Sequence, residues 1–442
     1  MIDMARIVFI GAGSAVFTRN LVADLITFPE LADTEVVLMD IDQERLDRIT
    51  RIAEYVIKQE DARLTVRSTL SRREALRGAD YVVITIAVGG LEARGPDISI
   101  PAKYGVGQCI GDTLGPGGIF RGLRHLAVFE SILEDITDLC PNALVLQYSN
   151  PMAILTWRVL MTPVRTVGLC HSVQGTSAQL AGYCGVPVDE LDYWVAGINH
   201  QAWFLQLRHR GADLLPVLKA KLDSDADLYG DEPVRIELFK RFGYFVTESS
   251  AHASEYYPYF RKTPEMIDSW GRLYQPPGSQ YGGGSTGGGI TKAMQREVEY
   301  EAMMQRQSSG QEKFVVRRSG EYGAEIVAAV ESGSCIRING NVRNDGLITN
   351  LPEGCCVEVP CLVDGLGVHP CLVGDLPTQL AALLRPSIGL QEMVVRGHMA
   401  QDREAIYQAI GLDPLTAAVC TLDQIHDMAE ELFEANRPWI SF

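Results

Sequence analysis

The chain has 442 residues, 46% hydrophobic and 21% charged, with a net charge of −17. That length suits two packed units or one large α/β body, and the composition is ordinary for a globular enzyme. The acidic balance excludes a general nucleic-acid binder and argues against docking on anionic membranes, and no apolar stretch approaches the roughly 20 residues that span a bilayer.

The first elements alternate between strand and helix patterns. Arg6–Ile10 reads as a short apolar strand; 15–28 follows with apolar residues at helical spacing and is closed by Pro29. Glu35–Met39 reads as a second strand ended by Asp40, and 46–57 as a helix with charges on its outer face. The β-branched run at 81–87 predicts a strand buried on both faces. A helix at 119–139 and short strands at 143–147 and 166–169 complete the alternation, which implies a parallel sheet covered by helices. Near Trp194 the pattern changes: 204–208 reads as a strand entering a turn at 210–213, with a further strand resuming at Leu214-Leu215. This predicts an antiparallel element and a second, mixed unit from about residue 190. The Gly-rich stretch 282–289 follows Pro276-Pro277 and no strand, so it reads as a loop and not as a phosphate cradle.

Gly11-Ala12-Gly13-Ser14-Ala15-Val16 lies between the first strand and the first helix. Gly11 allows the tight turn, and Gly13 lets backbone approach a pyrophosphate seated on the helix N-terminus beside Ser14. The third glycine of the dinucleotide fingerprint is replaced by Val16. Asp40 at the end of the second strand can accept hydrogen bonds from ribose hydroxyls and repels a 2′-phosphate, so NAD is favoured over NADP. Residues 1–190 are therefore expected to form an NAD-binding Rossmann domain. Residues 191–442 are expected to form a mixed α/β substrate and oligomerisation domain.

Ten cysteines with no Cys-x-x-Cys pair, and no export pattern at the start, predict a reducing, cytoplasmic setting with free thiols. Cys355-Cys356 sits in an apolar run and reads as buried packing. Cys170-His171-Ser172-Val173 ends the last strand of the alternating part, and Asn199-His200 precedes the next. Ligands gather beyond the carboxyl ends of such strands. A thiolate and an imidazole from these two segments can hold one divalent ion and leave positions open for substrate oxygens. Each also has a plain reading, as a buried thiol and a satisfied histidine, and spacing leaves both open.

Taken together, Gly11-Ala12-Gly13-Ser14, Ser149-Asn150-Pro151, Cys170-His171-Ser172-Val173 and Gly197-Ile198-Asn199-His200 resemble glycoside hydrolase family 4. So do 111–118, 254–260 and 341–352, and the likeness runs through nearly the whole chain. Within the family the chain is most similar to the melibiose-type α-galactosidases. The resemblance implies a Rossmann-type doubly wound parallel sheet followed by a mixed α+β catalytic domain, as in lactate and malate dehydrogenases. It implies NAD, with Mn²⁺ or another divalent metal on Cys170 and His200, and Arg94 and Asn150 as sugar contacts. It implies His171 as acid, Tyr256 as base (with Tyr257 adjacent), and a homo-oligomer, dimer or tetramer. The expected chemistry is transient oxidation at C3, deprotonation at C2, elimination at C1, water addition and return of the hydride. α-Glucosidase or α-glucuronidase activity, a true dehydrogenase of the lactate/malate type and a non-catalytic NAD sensor are the alternatives.

Overall fold

The structure, a computed structural model, describes residues 4–14, 17–273 and 284–442. Its strands are β1 (Arg6–Ile10), β2 (Glu35–Met39), β3 (Thr65–Thr69), β4 (Tyr81–Ile84), β5 (Leu144–Gln147), β6 (Thr166–Gly168), β7 (Leu191–Ile198), β8 (Gln201–His209), β9 (Ala212–Asp213), β10 (Phe245–Val246), β11 (Ile336–Arg343), β12 (Cys356–Asp364) and β13 (Gly367–Pro370). β1 to β6 are parallel and ordered 3-2-1-4-5-6, the Rossmann order. β1, β2, β4 and β5 are apolar and almost wholly buried because helices cover both faces.

The sheet then continues with antiparallel pairing through β11, β12, β7, β8 and β10. Two single pairings complete it: Asn341 with Gly168 joins it to the parallel half, and Glu358 with Gly197 joins β12 to β7. Because Asn341 also pairs with Glu358, these four residues form one row across the sheet. Most of the apolar core lies along the sheet, and a smaller core that includes Val173, Leu180, Val195, Phe204 and Phe239 lies beyond β7. Cys355 and Cys356 are both fully buried. Among the described residues no helix is long and apolar enough to cross a membrane.

Several local expectations need correction. The 81–87 run leaves the strand after Ile84, because Ala87–Gly90 turns into helix Gly90–Lys103 with Gly89 and Gly90 at positive φ. Leu214-Leu215 is no strand: Leu215 starts helix Leu215–Ser224, with Pro216 in its first turn where a missing N–H costs nothing. The 210–213 segment is the turn plus β9, which pairs back on β8. Part of the Gly-rich stretch is helical, since Gly288 begins helix Gly288–Ser308; Gly282, Gly283, Ala15 and Val16 lie outside the described residues.

Candidate functional site

The turn after β1 is shaped by close approach. Gly11 has φ +84, and a Cβ there would lie 3.0 Å from backbone and side chain of Ile86. Its N–H and that of Ala12 donate to the carbonyl of Met39 at 3.0 and 2.9 Å. The N–H of Gly13 donates to Asp40 Oδ2 at 2.7 Å, and a Cβ on Gly13 would meet that oxygen and Arg45 Cβ at 2.8 Å each. Gly13 is therefore required by Asp40 itself as well as by any ligand. The turn and Asp40 form one wall of a cavity of about 1800 Å³, which also takes in Arg94, His171 and His252. A cradle that a Cβ would fill, with a carboxylate at the end of β2, fits a dinucleotide.

Beside His171, Ser249 and His252 of that cavity, three side chains from three segments converge. Cys170 follows β6; His200 lies in the β7–β8 turn at φ 64, and Glu248 follows β10 at φ 67, both strained for residues that are not glycine. The Cys170 Sγ, one His200 ring nitrogen and a Glu248 oxygen lie within 4.8 Å of one another. His200 Nε2 is 3.3 Å from Glu248 Oε2, while its Nδ1 meets Thr113 Oγ1 at 3.1 Å and Tyr256 Oη at 3.2 Å. The other Glu248 oxygen accepts from the Ser249 N–H at 3.1 Å and faces His252 Nδ1 at 3.3 Å; His252 Nε2 in turn faces Asp112 at 3.7 Å.

The electrostatics of this cluster favour a cation. Burial raises the Glu248 carboxyl, but the imidazoles of His252, His200 and His171 outweigh it and hold it down at about 2. Burial, with the Glu248 and Glu358 charges, pushes the Cys170 thiol up to about 12. A divalent ion among them would deprotonate the thiol outright. One sulfur, one imidazole nitrogen and one carboxylate oxygen make an open donor set that a divalent transition metal fits.

Of the residues singled out from sequence, Cys170, His200 and Tyr256 come together. Tyr256 is only 1% exposed, and burial, with Asp112 and Glu255, raises its phenol well above the ordinary value. The His171 side chain is 63% exposed, 3.6 Å from Glu321 and beside the Phe17 ring. Arg94 lines the cavity and donates to the Ile110 carbonyl at 3.3 Å. Asn150 caps its own turn, accepting from the Met152 N–H at 3.2 Å, and its carbonyl accepts from Arg121 Nε at 3.1 Å. Sequence reasoning missed Glu248, His252 and Asp112. Asp112 lies in one of the family-like stretches, but Glu248 and His252 fall in none. Glu255 accepts from the N–H groups of Ile110 and Gly111 at 2.5 and 3.0 Å, which ties the Asp112-Thr113 loop to the segment that carries Tyr256.

The comparisons with known proteins agree with this geometry. The profile described as Family 4 glycosyl hydrolase matches residues 6–186, and the Family 4 glycosyl hydrolase C-terminal domain matches residues 195–416. An α-galactosidase of Bacillus subtilis is 38% identical over 441 residues, covering 99% of each chain. A 6-phospho-β-glucosidase of Thermotoga maritima, solved with manganese, NAD⁺ and glucose-6-phosphate, superposes with a TM-score of 0.81 at 22% identity, over 99% of this chain and all of that one. A malate dehydrogenase of Plasmodium falciparum shares the fold alone, with a TM-score of 0.51 at 14% identity over 90% of this chain and 99% of that one. The chain belongs to the family 4 glycosyl hydrolases, and it is an enzyme that cleaves glycosidic bonds.

Proposed function

We propose that this enzyme is an NAD- and divalent-metal-dependent α-galactosidase. The observation that carries the reading is the Cys170–His200–Glu248 cluster, whose neighbours His171, Ser249 and His252 line the same cavity as the Gly11–Gly13 turn and Asp40. The full-length likeness to an α-galactosidase supports the sugar, and the cofactors named for the Thermotoga maritima structure support NAD⁺ and manganese. Gly11, Gly13, Ser14 and Asp40 hold the dinucleotide; Cys170 and His200 hold the metal, with Glu248 in reach.

When bound, the two cofactors supply a transient oxidation of the sugar at C3 and a positive centre that makes the neighbouring C2 proton removable. Tyr256 Oη takes that proton. With Nε2 of His200 turned to the metal, its Nδ1–H can donate to the phenol oxygen and stabilise it as a phenolate. His171, exposed at the cavity, gives a proton to the departing glycosidic oxygen. Arg94 and Asn150 orient the sugar. Because water then adds at C1, a proton returns to C2 and the oxidation is reversed before release, the net reaction is hydrolysis. We also place the enzyme in the cytoplasm, where its ten free thiols stay reduced, and read it as a homo-oligomer.

The test is a panel of p-nitrophenyl glycosides of both anomers with NAD⁺, Mn²⁺ and a reductant. The reading predicts release from the α-galactoside, loss of activity on removing either cofactor, and no accumulation of NADH. Preference for an α-glucoside or α-glucuronide would move the sugar within the family. Stoichiometric NADH would replace hydrolysis by a dehydrogenase.

A further inference from the structure

The wall of the cavity at the end of β2 holds more positive charge than a cofactor with a free ribose calls for. Arg45, Arg48 and Arg72 line the same cavity as Asp40. Guanidinium groups in that position are what a 2′-phosphate seeks, which is the opposite of the choice Asp40 makes. All three are already engaged. Arg72 Nε donates to Asp135 at 2.6 Å. Arg45 Nη2 reaches Glu297 at 3.1 Å, and Arg48 Nη1 reaches Glu301 at 3.2 Å while its Nη2 holds Glu44 at 2.9 Å.

Glu297 and Glu301 lie four residues apart, on one face of helix Gly288–Ser308, and both line the cavity. That helix comes from the far half of the chain and lies across helix Gln43–Gln59. Its other cavity cations, Lys292 and Arg296, sit nearer its Gly288 start.

We propose that Glu297 and Glu301 are specificity-determining residues that reject the 2′-phosphorylated dinucleotide by occupying Arg45 and Arg48. The inference rests on the NAD reading above and adds residues to it. A 2′-phosphate arriving at this wall meets Asp40 and must also displace two carboxylates from their arginines. An exposed pair holds its arginine by at most about a factor of five, so two pairs together are worth on the order of tenfold, and salt weakens them.

The experiment is calorimetric binding of NAD⁺ and NADP⁺ to the full chain, wild type against Glu297→Gln/Glu301→Gln. Both glutamates are exposed, so the fold is not at stake, and a thermal melt checks it. The expected result is about tenfold tighter NADP⁺ binding with NAD⁺ affinity held within about twofold. Adding Arg45→Gln and Arg48→Gln to that variant should abolish the gain. Unchanged NADP⁺ affinity in the double variant, or an equal gain for both dinucleotides, overturns the inference while NAD⁺ binding by the wild type keeps the cofactor reading. Failure of the wild type to bind either dinucleotide overturns both.

Discussion

At the β2 end of the cavity, the proposed recognition rests on backbone turns, one carboxylate and ion pairs open to solvent. Beside the same cavity, the second region draws its side chains from the segments after β6 and β10 and from the β7–β8 turn, with Cys170 and His200 buried and Glu248 half-buried. The first end can lose a group and still bind, because water and neighbouring charges compensate. In the second, each group sets the charge of the next: Glu248 is held down by three imidazoles, and Cys170 is pushed up by burial and two carboxylates. Substitutions at the metal end should therefore remove turnover and spare dinucleotide binding. Those at the β2 end should weaken the dinucleotide and spare the chemistry.

The largest effect is expected for Cys170→Ser. A hydroxyl replaces the thiolate, and activity with Mn²⁺ should fall by more than the ~10- to 100-fold typical of an outer ligand partner. NAD⁺ affinity by fluorescence titration should stay within about twofold of wild type, since the Gly11–Gly13 turn is held by Met39 and Asp40 and not through Cys170. Retained activity would take the thiol out of the reaction. Next comes Tyr256→Phe. Loss of a general base typically costs ~100- to 10,000-fold, and it should appear in kcat with KM little changed. Solvent exchange of deuterium at sugar C2 should slow in parallel, and a fall in kcat without slower exchange would assign the base elsewhere.

The two ends also differ in how far the sequence announced them. The parallel half is legible because strands buried on both faces leave unbroken apolar runs, and because Gly11, Gly13 and Asp40 stand at fixed places along them. β3 was not legible, since its residues are polar and half-exposed along an outer edge. Helix Gly90–Lys103 contains Pro96 and Pro101, and proline inside a helix blurs its pattern in the sequence. The metal end escaped spacing altogether. Gly168 and Gly197 are joined across the sheet only through Asn341 and Glu358, which enter more than a hundred residues later. Only the family resemblance linked Cys170 to His200. Nothing in Thr247-Glu248-Ser249 sets that glutamate apart from the chain's other acids until the fold turns it toward His200.

A smaller effect is expected for Gly13→Ala at the β2 end. The added methyl meets Asp40 Oδ2 and Arg45 Cβ at 2.8 Å, so the carboxylate or the start of helix Gln43–Gln59 must move. Overpacking of this kind costs about 1–3 kcal/mol, and part of it should fall on the dinucleotide, raising the NAD⁺ Kd by about tenfold. With saturating NAD⁺, kcat should return close to wild type. A kcat that stays low at saturation would show that the two ends are coupled and would break the comparison.

The last expected effect is read in stability and not in turnover, behind the metal site at Glu358. The residue is fully buried, with the Asn199 side chain beside it. Burial pushes its pKa from 4.5 to about 8; His200 opposes this and the Glu248 charge adds to it. The folded chain then keeps a proton on Glu358 between pH 4.5 and 8 that the unfolded chain has released. Stability from this group is complete below the lower value and is lost as pH rises to the upper one. Glu358→Gln does not titrate, so its Tm measured in EDTA should gain on the wild type across that interval and level off above it. A Tm difference that is flat with pH would mean the carboxyl is ionised throughout. Mn²⁺ should shrink the gain, because a cation bound at His200 favours the neighbouring carboxylate and lowers its pKa toward that of the unfolded chain.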